Sequence, residues 1–85
     1  MSVVQLSTYY NIRKMEEIKK KFGLKVRKLR VEEGYSQEKL AELSNLDRTY
    51  IPGIENGKRN VSLIVLEKIA KAFNISISEL LKDVS

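Results

Sequence analysis

The fold of this chain is decided by residues 37–56, which read QEKLAELSNLDRTYIPGIEN. Ser36 precedes this stretch in the place of a helix N-cap, so the sequence predicts a short helix from Gln37 to Ser44. Three apolar residues are predicted to lie on its inner side: Leu40, Ala41 and Leu43. The stretch therefore begins with one amphipathic helix whose start is marked by its own cap.

The second half of the stretch predicts another short helix. Asp47 follows a two-residue link and is predicted to cap it, because a carboxylate accepts hydrogen bonds from amides of the next turn and favours the positive end of the helix dipole. The helix is predicted to begin at Arg48 and to end near Asn56 and Gly57, a pair that tolerates positive φ. Two short helices joined by a tight turn have the dimensions of a helix-turn-helix.

Apolar residues before this pair recur at spacings of three and four, the period of one helix face. They are Ile12, Met15, Ile18, Phe22, Val26 and Leu29. The pattern predicts a helix from Asn11 to Glu33, closed by Gly34 as a left-handed residue. Alternatively, Gly23 divides it into an N-terminal extension and the first helix of the domain. Ser2 to Tyr10 carries β-branched and aromatic residues without a partner strand, and is predicted to be irregular.

Two more helices are predicted after the pair. Ser62 caps the fourth, whose apolar residues at helical spacing are expected to face the core: Leu63, Leu66, Ile69, Ala70 and Phe73. Residues 75–84 indicate a short fifth helix, capped by Ser76 or Ser78. Without internal repeats or a low-complexity linker, the sequence predicts an all-α fold of five helices. It comprises an N-terminal helical extension, residues 1–17, and a helix-turn-helix domain, residues 18–85.

The composition excludes several kinds of protein. With 85 residues, the chain has room for one domain and one modest core. It contains no Cys and no His, which excludes a disulfide framework, a thiolate zinc site and a cysteine nucleophile, and removes the usual general base. We therefore expect no enzymatic activity, no metal and no cofactor, and no small-molecule ligand is evident.

Neither a membrane span nor a signal peptide is predicted. The longest uncharged run, residues 1–12, contains Gln, Ser, Thr and Asn. It is shorter than the ~20 apolar residues that a membrane helix requires. It also lacks a basic start and a small-residue cleavage site. The sequence therefore predicts a soluble intracellular protein.

The charge of the chain is unevenly distributed. Sixteen Lys and Arg against 11 Asp and Glu give a net charge of +5, which predicts an anionic partner. Residues 1–30 hold nine Lys and Arg and two Glu, a surplus of +7, whereas residues 31–46 hold one Lys and four Glu, a net −3. The surplus predicts a basic face; the alternative is an ordinary solvated helix surface.

Two strings of residues resemble the phage repressor and Cro family of helix-turn-helix domains: GYSQEKLA at 34–41 and IENGKR at 54–59. Within that family, three further strings look most like the controller proteins of restriction-modification systems: LDRTYI at 46–51, GIE at 53–55 and RNVSL at 59–63. The resemblance covers about residues 20–82. It implies a repressor-like DNA-binding domain that acts in the prokaryotic cytoplasm, at the nucleoid.

The resemblance implies that Arg48, Thr49 and Tyr50 contact bases. Arg forms a bidentate pair with guanine O6 and N7, and the Thr methyl group meets the thymine methyl group, with ~1–3 kcal/mol of discrimination for each good bidentate pair. Alternatively, Arg48 pairs only with a surface acid. Tyr50 contacts a base step or the DNA backbone, or packs on the domain.

Phosphate contacts are implied for four residues: Gln37, Lys58, Arg59 and Asn60. Gln37 lies in the first turn of the second helix, where the family bonds a phosphate and so sets the register of the domain; alternatively, it is only a good helix former. The other three lie in the loop after the third helix, and the alternative is an ordinary polar loop. Contacts of this kind position the protein and make binding depend on salt.

The resemblance also implies a structural ion pair between Arg30 and Glu55. Removing one member of a buried pair costs ~3–5 kcal/mol, so loss of DNA binding after a change at Glu55 would be indirect. Pro52 departs from the family pattern. At the fifth helical position after the Asp47 cap, it predicts a kinked recognition helix or a 3₁₀-like first turn.

A homodimer on a pseudo-palindromic double-stranded operator is expected, because one helix-turn-helix reads few base pairs and specific binding uses two copies about one turn, ~34 Å, apart. The predicted dimer surface is the C-terminal region, which is rich in apolar residues: Ile75, Ile77, Leu80, Leu81 and Val84. Alternatively, Ile75, Ile77 and Leu80 fill the monomer core, which leaves Leu81, Val84 and Phe73 for the interface. The N-terminal helix is a further candidate for that interface.

The leading hypothesis is a transcription regulator of restriction-modification genes, and the resemblance implies activation at one site and repression at higher occupancy. The alternative is the antitoxin of a toxin-antitoxin pair, which binds a toxin protein through the N-terminal extension and autoregulates. A third hypothesis is a membrane-surface role for the basic helix from Asn11 to Arg30, which binding to anionic vesicles but not to duplex DNA would favour.

Overall fold

The computed structural model describes residues 2–84 and has five helices within them. In chain order they are α1, Val3–Glu32; α2, Gln37–Leu43; α3, Tyr50–Glu55; α4, Leu63–Ala72; and α5, Ile77–Leu81. No strand occurs among these residues, so the predicted all-α fold of five helices is confirmed. Met1 and Ser85, the outer ends of the two predicted segments, lie outside the described residues.

Helix α1 begins earlier than predicted. Residues 3–10 are helical, so the expectation of an irregular segment from Ser2 to Tyr10 is wrong. The start is a capping box: the Gln5 amide donates to Ser2 Oγ at 3.2 Å, and the Ser2 amide donates to Gln5 Oε1 at 2.8 Å. These two bonds satisfy amides that would otherwise lack a partner. The helix then runs across residues 17 and 18, where the division into extension and domain stays a prediction.

Gly23 does not divide α1, so that alternative is wrong; instead it lets α3 approach. A Cβ atom on Gly23 would overlap the Ile54 carbonyl oxygen and lie 2.8 Å from that of Glu55. Gly57 makes a second close approach, since with φ at +70° its Cβ would lie 2.9 Å from Lys20 Cα. Two glycines therefore fix the C-terminal end of α3 directly on the backbone of α1.

Three other helices, α2, α4 and α5, also begin at a serine N-cap. The side chains of Ser36, Ser62 and Ser76 each accept a hydrogen bond from the amide three residues ahead, at 2.9, 3.2 and 3.0 Å. The predicted caps are thus confirmed, and at α5 the cap is Ser76, not Ser78. Gly34 follows the end of α1 with φ at +73°, as its left-handed role predicts.

The core is built from apolar side chains of all five helices and of the tail after α5. Its buried members are Phe22, Val26, Leu40, Ala41, Ile51, Ile54, Leu66, Ile69, Ala70, Phe73, Leu80 and Val84. From Asn11 to Ile18 the side chains of α1 are exposed, and the core begins at Phe22, so this part of α1 projects past the core. No helix within residues 2–84 has the length and apolarity needed to cross a bilayer.

Two residues predicted to face the core are exposed instead. Leu43 is 42% exposed, because the inner face of α2 is completed by Ser44, whose hydroxyl donates to the Leu40 carbonyl at 2.6 Å. Leu63 is 77% exposed, since it lies in the first turn of α4, at the edge of the face that Leu66 and Ile69 bury. Both predictions are wrong because apolar spacing does not show which part of a short helix contacts the core.

Candidate nucleic-acid interface

Helices α2 and α3 form the predicted helix-turn-helix. Leu40 and Ala41 of α2 and Ile51 and Ile54 of α3 are buried in the same core. The link between the helices includes Asn45, which adopts a left-handed φ of 53°. Because both inner faces are anchored in the core, the outer side of the pair is held rigidly for contact with a partner.

The start of α3 differs from the prediction. The helix begins at Tyr50 and not at Arg48, and its N-cap Thr49 makes no side-chain cap bond. Asp47 instead stabilises the turn before the helix: its Oδ1 accepts from the Thr49 amide at 2.9 Å and from Thr49 Oγ1 at 2.6 Å. Asp47 therefore orders Thr49, the residue that follows Arg48 and directly precedes the helix.

The turn that leads into α3 is 3₁₀-like, one of the two outcomes that Pro52 predicts. The Tyr50 amide donates to the Asp47 carbonyl at 2.9 Å, a bond between residues three apart. Pro52 is the third residue of α3, not the fifth as predicted. The first four amides of a helix lack intrahelical partners, so Pro52 removes no helical hydrogen bond.

Asp47 is held in its charged form. The hydroxyl of Thr49 lowers the pKa of Asp47 most, the Thr49 amide adds to this, and Arg48 and Arg59 contribute through space. Arg48 and Thr49 are both exposed. Since the Thr49 hydroxyl donates its proton to Asp47, its oxygen can only accept further hydrogen bonds, and the methyl group stays free for an apolar contact.

Tyr50 and Arg59 stack on each other. Cζ of Arg59 lies 3.9 Å from the centre of the Tyr50 ring, which is the arrangement of a cation–π contact. Gly53 borders this contact, because a Cβ there would lie 3.5 Å from Arg59 Nε. Tyr50 is half-buried and also packs against the core. The structure thus joins a predicted base-contacting residue to a predicted phosphate-contacting one, which the sequence reasoning missed.

Arg30 and Glu55 are brought together between α1 and α3. Arg30 Nε donates to Glu55 Oε2 at 2.7 Å, and Nη2 donates to Oε1 at 3.0 Å. A third bond, from Nη1 to the Tyr35 carbonyl at 2.9 Å, orients the guanidinium further. The bonds to Glu55 raise the pKa of Arg30, against the opposing effect of burial. The Glu55 side chain is only 4% exposed, so the pair is largely shielded from water.

Gln37 joins this pair. Its Nε2 donates to Glu55 Oε1 at 3.2 Å, a bond that no sequence pattern indicated. A side-chain amide has two N–H groups, so the second stays available to a phosphate oxygen. The Arg30–Glu55 pair therefore positions the side chain that was predicted to set the register on DNA.

The loop after α3 carries the remaining three predicted residues. Lys58, Arg59 and Asn60 are all exposed. The amides of Lys58 and Arg59 donate to the Gly53 carbonyl at 3.0 and 3.1 Å, which ties the loop to the end of α3. The candidates thus lie at the start of α2, at the start of α3 and just after the end of α3.

The comparisons with known proteins agree with this geometry. The helix-turn-helix family matches residues 26–80. The control protein C.MunI of a Mycoplasma species is 54% identical over 71 residues, which cover 82% of this chain and 96% of that protein. The control protein C.BamHI of Bacillus amyloliquefaciens is 52% identical over 61 residues, which cover 71% of this chain and 75% of that protein.

A solved structure extends the likeness to three dimensions. The restriction-modification controller protein C.AhdI from Aeromonas hydrophila superimposes with a TM-score of 0.71 at 52% sequence identity. The superposition covers 73% of this chain and 94% of that one. Sequence, fold and motif therefore agree, and the chain belongs to the helix-turn-helix family, among the restriction-modification controller proteins.

Proposed function

We propose that this chain is a transcription regulator that binds a pseudo-palindromic DNA operator as a homodimer and controls restriction-modification genes. C.MunI and C.BamHI are named control proteins, and C.AhdI is named a restriction-modification controller protein. None of these three is named an antitoxin, so they favour the controller over the antitoxin alternative. The protein acts by binding and not by catalysis, in the prokaryotic cytoplasm.

The observation that carries the proposal is the turn at the start of α3. Asp47 fixes Thr49 by two hydrogen bonds, and Arg48, the residue between these two, is exposed. Arg48 forms no ion pair with a carboxylate within residues 2–84, which disfavours the alternative that it only pairs with a surface acid. An Arg held this way suits bidentate bonding to guanine, and the Thr49 methyl suits a thymine methyl.

Phosphate contacts are proposed for Gln37, in the first turn of α2, and for Lys58, Arg59 and Asn60, in the loop after α3. Gln37 is positioned through Glu55, and the loop is positioned through the Gly53 carbonyl. Arg59 also stacks on Tyr50, so one contact orients both side chains. Such preorganised contacts would set the register of the protein on the duplex without reading its sequence.

The dimer is proposed to form through the C-terminal region. Leu80, Val84 and Phe73 are buried in the monomer core, which leaves Leu81, 37% exposed, as the apolar residue of α5 open to a partner. On the adjacent α4, Leu63 and Ile64 are exposed as well. The interface proposed here is therefore smaller than the sequence alone indicated, and it combines α5 with the start of α4.

The proposal is tested by a footprint on the DNA upstream of the gene for this chain. Two protected half-sites, about one helical turn or ~34 Å apart, are the expected result. Arg48→Ala should relax the preference at one base position of each half-site. A uniform loss of affinity for all sequences would contradict direct readout by Arg48, and copurification of a toxin protein without any footprint would favour the antitoxin alternative.

A further inference from the structure

The positive charge of α1 is not explained by the candidate interface. Residues 47–60, which hold the base-reading candidates and the phosphate loop, have a net charge of only +1, because Asp47 and Glu55 offset three cations. Residues 1–30 carry the +7 surplus. Where those α1 cations lie relative to α3 therefore decides whether they belong to the same surface.

Lys20 and Arg27 lie on one line of α1 beside α3. They are seven residues apart, which is about two turns and about 10 Å along a helix. Gly23 lies between them, and it is there that the Ile54 and Glu55 carbonyls cross α1. Both cations are exposed, and within residues 2–84 neither is paired with a carboxylate. The end of α3 thus crosses α1 between two free positive charges.

Lys20 adjoins the loop that holds three predicted phosphate contacts, whereas Arg27 lies near the pair that positions the fourth. Lys20 packs against Gly57, whose Cβ would lie 2.8 Å from Lys20 Cγ, and the phosphate loop begins at the next residue. Arg27 lies one turn before Arg30, which bonds Glu55 and through it positions Gln37. The line from Lys20 to Arg27 therefore runs from the phosphate loop toward the Arg30–Glu55 pair, which holds Gln37.

Three other cations of α1 lie against other groups of the protein. Lys19 Nζ lies 2.7 Å from Glu16 Oε1, so its charge is neutralised locally. Lys25 Nζ donates to the Lys82 carbonyl at 3.1 Å. Lys28 lies near Asp83, on a surface formed by α1 and the C-terminal tail. Position on the helix therefore separates Lys20 and Arg27 from the other cations.

We propose that Lys20 and Arg27 are additional contacts to the phosphodiester backbone of duplex DNA, which extend the positive surface from the loop after α3 along α1 to Gln37. The proposal rests on the proposed DNA-binding function. These two contacts would supply sequence-independent attraction, which the recognition segment with its net charge of +1 supplies weakly. Specificity would stay with Arg48 and Thr49.

The test is a salt titration of duplex binding with Lys20→Gln, Arg27→Gln and the double variant of the full chain. Two duplexes are used: the DNA upstream of the gene for this chain and a scrambled duplex of the same length. Each lost phosphate contact should reduce the slope of log affinity against log salt by about 0.9. The ratio of the affinity at 50 mM salt to that at 200 mM salt should then fall about threefold. The loss should be equal on both duplexes.

Lys28→Gln is the matched control, because it removes one exposed charge from the same helix on another side. It should leave the slope unchanged. If the slope changes as much in this control as in the Lys20 and Arg27 variants, the effect is a general one of net charge, and the proposal is wrong. Unchanged slopes in the Lys20 and Arg27 variants would overturn it too. So would a lowered melting temperature with an unchanged slope, because the cations would then only stabilise the carbonyl end of α3.

Arg48→Ala separates this proposal from the function on which it rests. If Arg48→Ala weakens the preference for the upstream duplex while the Lys20 and Arg27 variants keep the wild-type slope, the proposed regulator is supported and the additional contacts are wrong. If the wild-type chain binds neither duplex, both are wrong. If all three variants behave as expected, α1 holds the backbone while α3 reads the bases.

Discussion

Arg30 and Glu55 are joined by two hydrogen bonds between α1 and α3, and the Glu55 side chain is almost fully buried. Glu55→Gln leaves the Arg30 charge without its counterion, so we expect the free energy of unfolding to fall by about 3 kcal/mol. Urea denaturation followed by circular dichroism measures this change. Loss of DNA binding should follow the loss of folded protein, and any further loss should come through Gln37, which donates to Glu55.

Glu67→Gln is the control for that prediction. Glu67 lies 3.6 Å from Lys71 in an exposed pair on α4, where water screens the charges. Pairs of this kind contribute roughly 0–1 kcal/mol. Equal destabilisation by the two variants would mean that the Arg30–Glu55 pair adds nothing beyond an ordinary surface ion pair.

The hydrogen bonds of Asp47 make the stability of the fold depend on pH. Its pKa in the folded chain is lowered, chiefly by the Thr49 hydroxyl and then by the Thr49 amide. The carboxylate therefore contributes stability that is present above the unfolded pKa and is lost as pH falls through the lowered folded pKa. An NMR titration should place the Asp47 midpoint below the usual value for Asp, about 3.9.

Thr49→Val is the matched change, because it removes the hydroxyl that lowers the Asp47 pKa most and keeps the shape of the side chain. The midpoint should rise toward the usual value in this variant, while the amide bond from residue 49 keeps part of the effect. A midpoint that is the same in both proteins would show that the hydroxyl does not hold this carboxylate.

At the scale of the helices, the crossing of α1 and α3 depends on Gly23. Replacing a helical Gly by Ala ordinarily stabilises a helix by about 1 kcal/mol. At Gly23 the added Cβ would collide with two carbonyl oxygens of α3, so we expect Gly23→Ala to destabilise the fold. Gly53→Ala is the comparison, since its Cβ would meet only ordinary contacts with the Arg59 side chain, the nearest at 3.5 Å.

The two glycine variants should therefore shift the midpoint of urea unfolding in opposite directions. Gly53→Ala should raise it, and Gly23→Ala should lower it. If Gly23→Ala also raised the midpoint, α1 and α3 would not be in the close contact described here, and the positions of Arg30 and Glu55 would need to be revised.

The helices also show what a sequence can and cannot predict. The sequence predicts the number of helices and their serine caps, because periodicity and capping depend on residues close together in the chain. Ser36 and Ser62 cap their helices as expected. The start of α3 was missed, because Asp47 bonds the residue two positions on instead of capping a helix at Arg48. Leu63 was misplaced because apolar spacing does not reveal where the core ends.

In the candidate interface, too, local features could be predicted from the sequence and tertiary contacts could not. The Arg30–Glu55 pair came from a family resemblance, since no local rule connects residues 25 positions apart. The stacking of Arg59 on Tyr50 and the bond from Gln37 to Glu55 depend on how the loop and two helices meet. Such contacts follow from tertiary packing, so the sequence could name the residues but not their partners.

For the whole molecule, the main feature is that α1 is longer than the core it supports. The molecule measures 47 by 24 by 21 Å, and a helix of 30 residues is itself about 45 Å long. Ile12 and Met15 are more than half exposed, and from Asn11 onward the first buried side chain is that of Phe22. The part of α1 from Asn11 to Ile18 therefore adds little apolar burial to the folded monomer.

We expect the chain without residues 2–17 to keep its fold and its operator binding. Its free energy of unfolding should change by less than about 1 kcal/mol, the range of changes away from the core, whereas Phe22→Ala should cost about 3–5 kcal/mol. Denaturation tests stability, and sedimentation at several concentrations tests assembly. If the shortened chain remains folded but loses its dimer, the N-terminal helix belongs to the interface, and the predicted domain of residues 18–85 is not sufficient by itself.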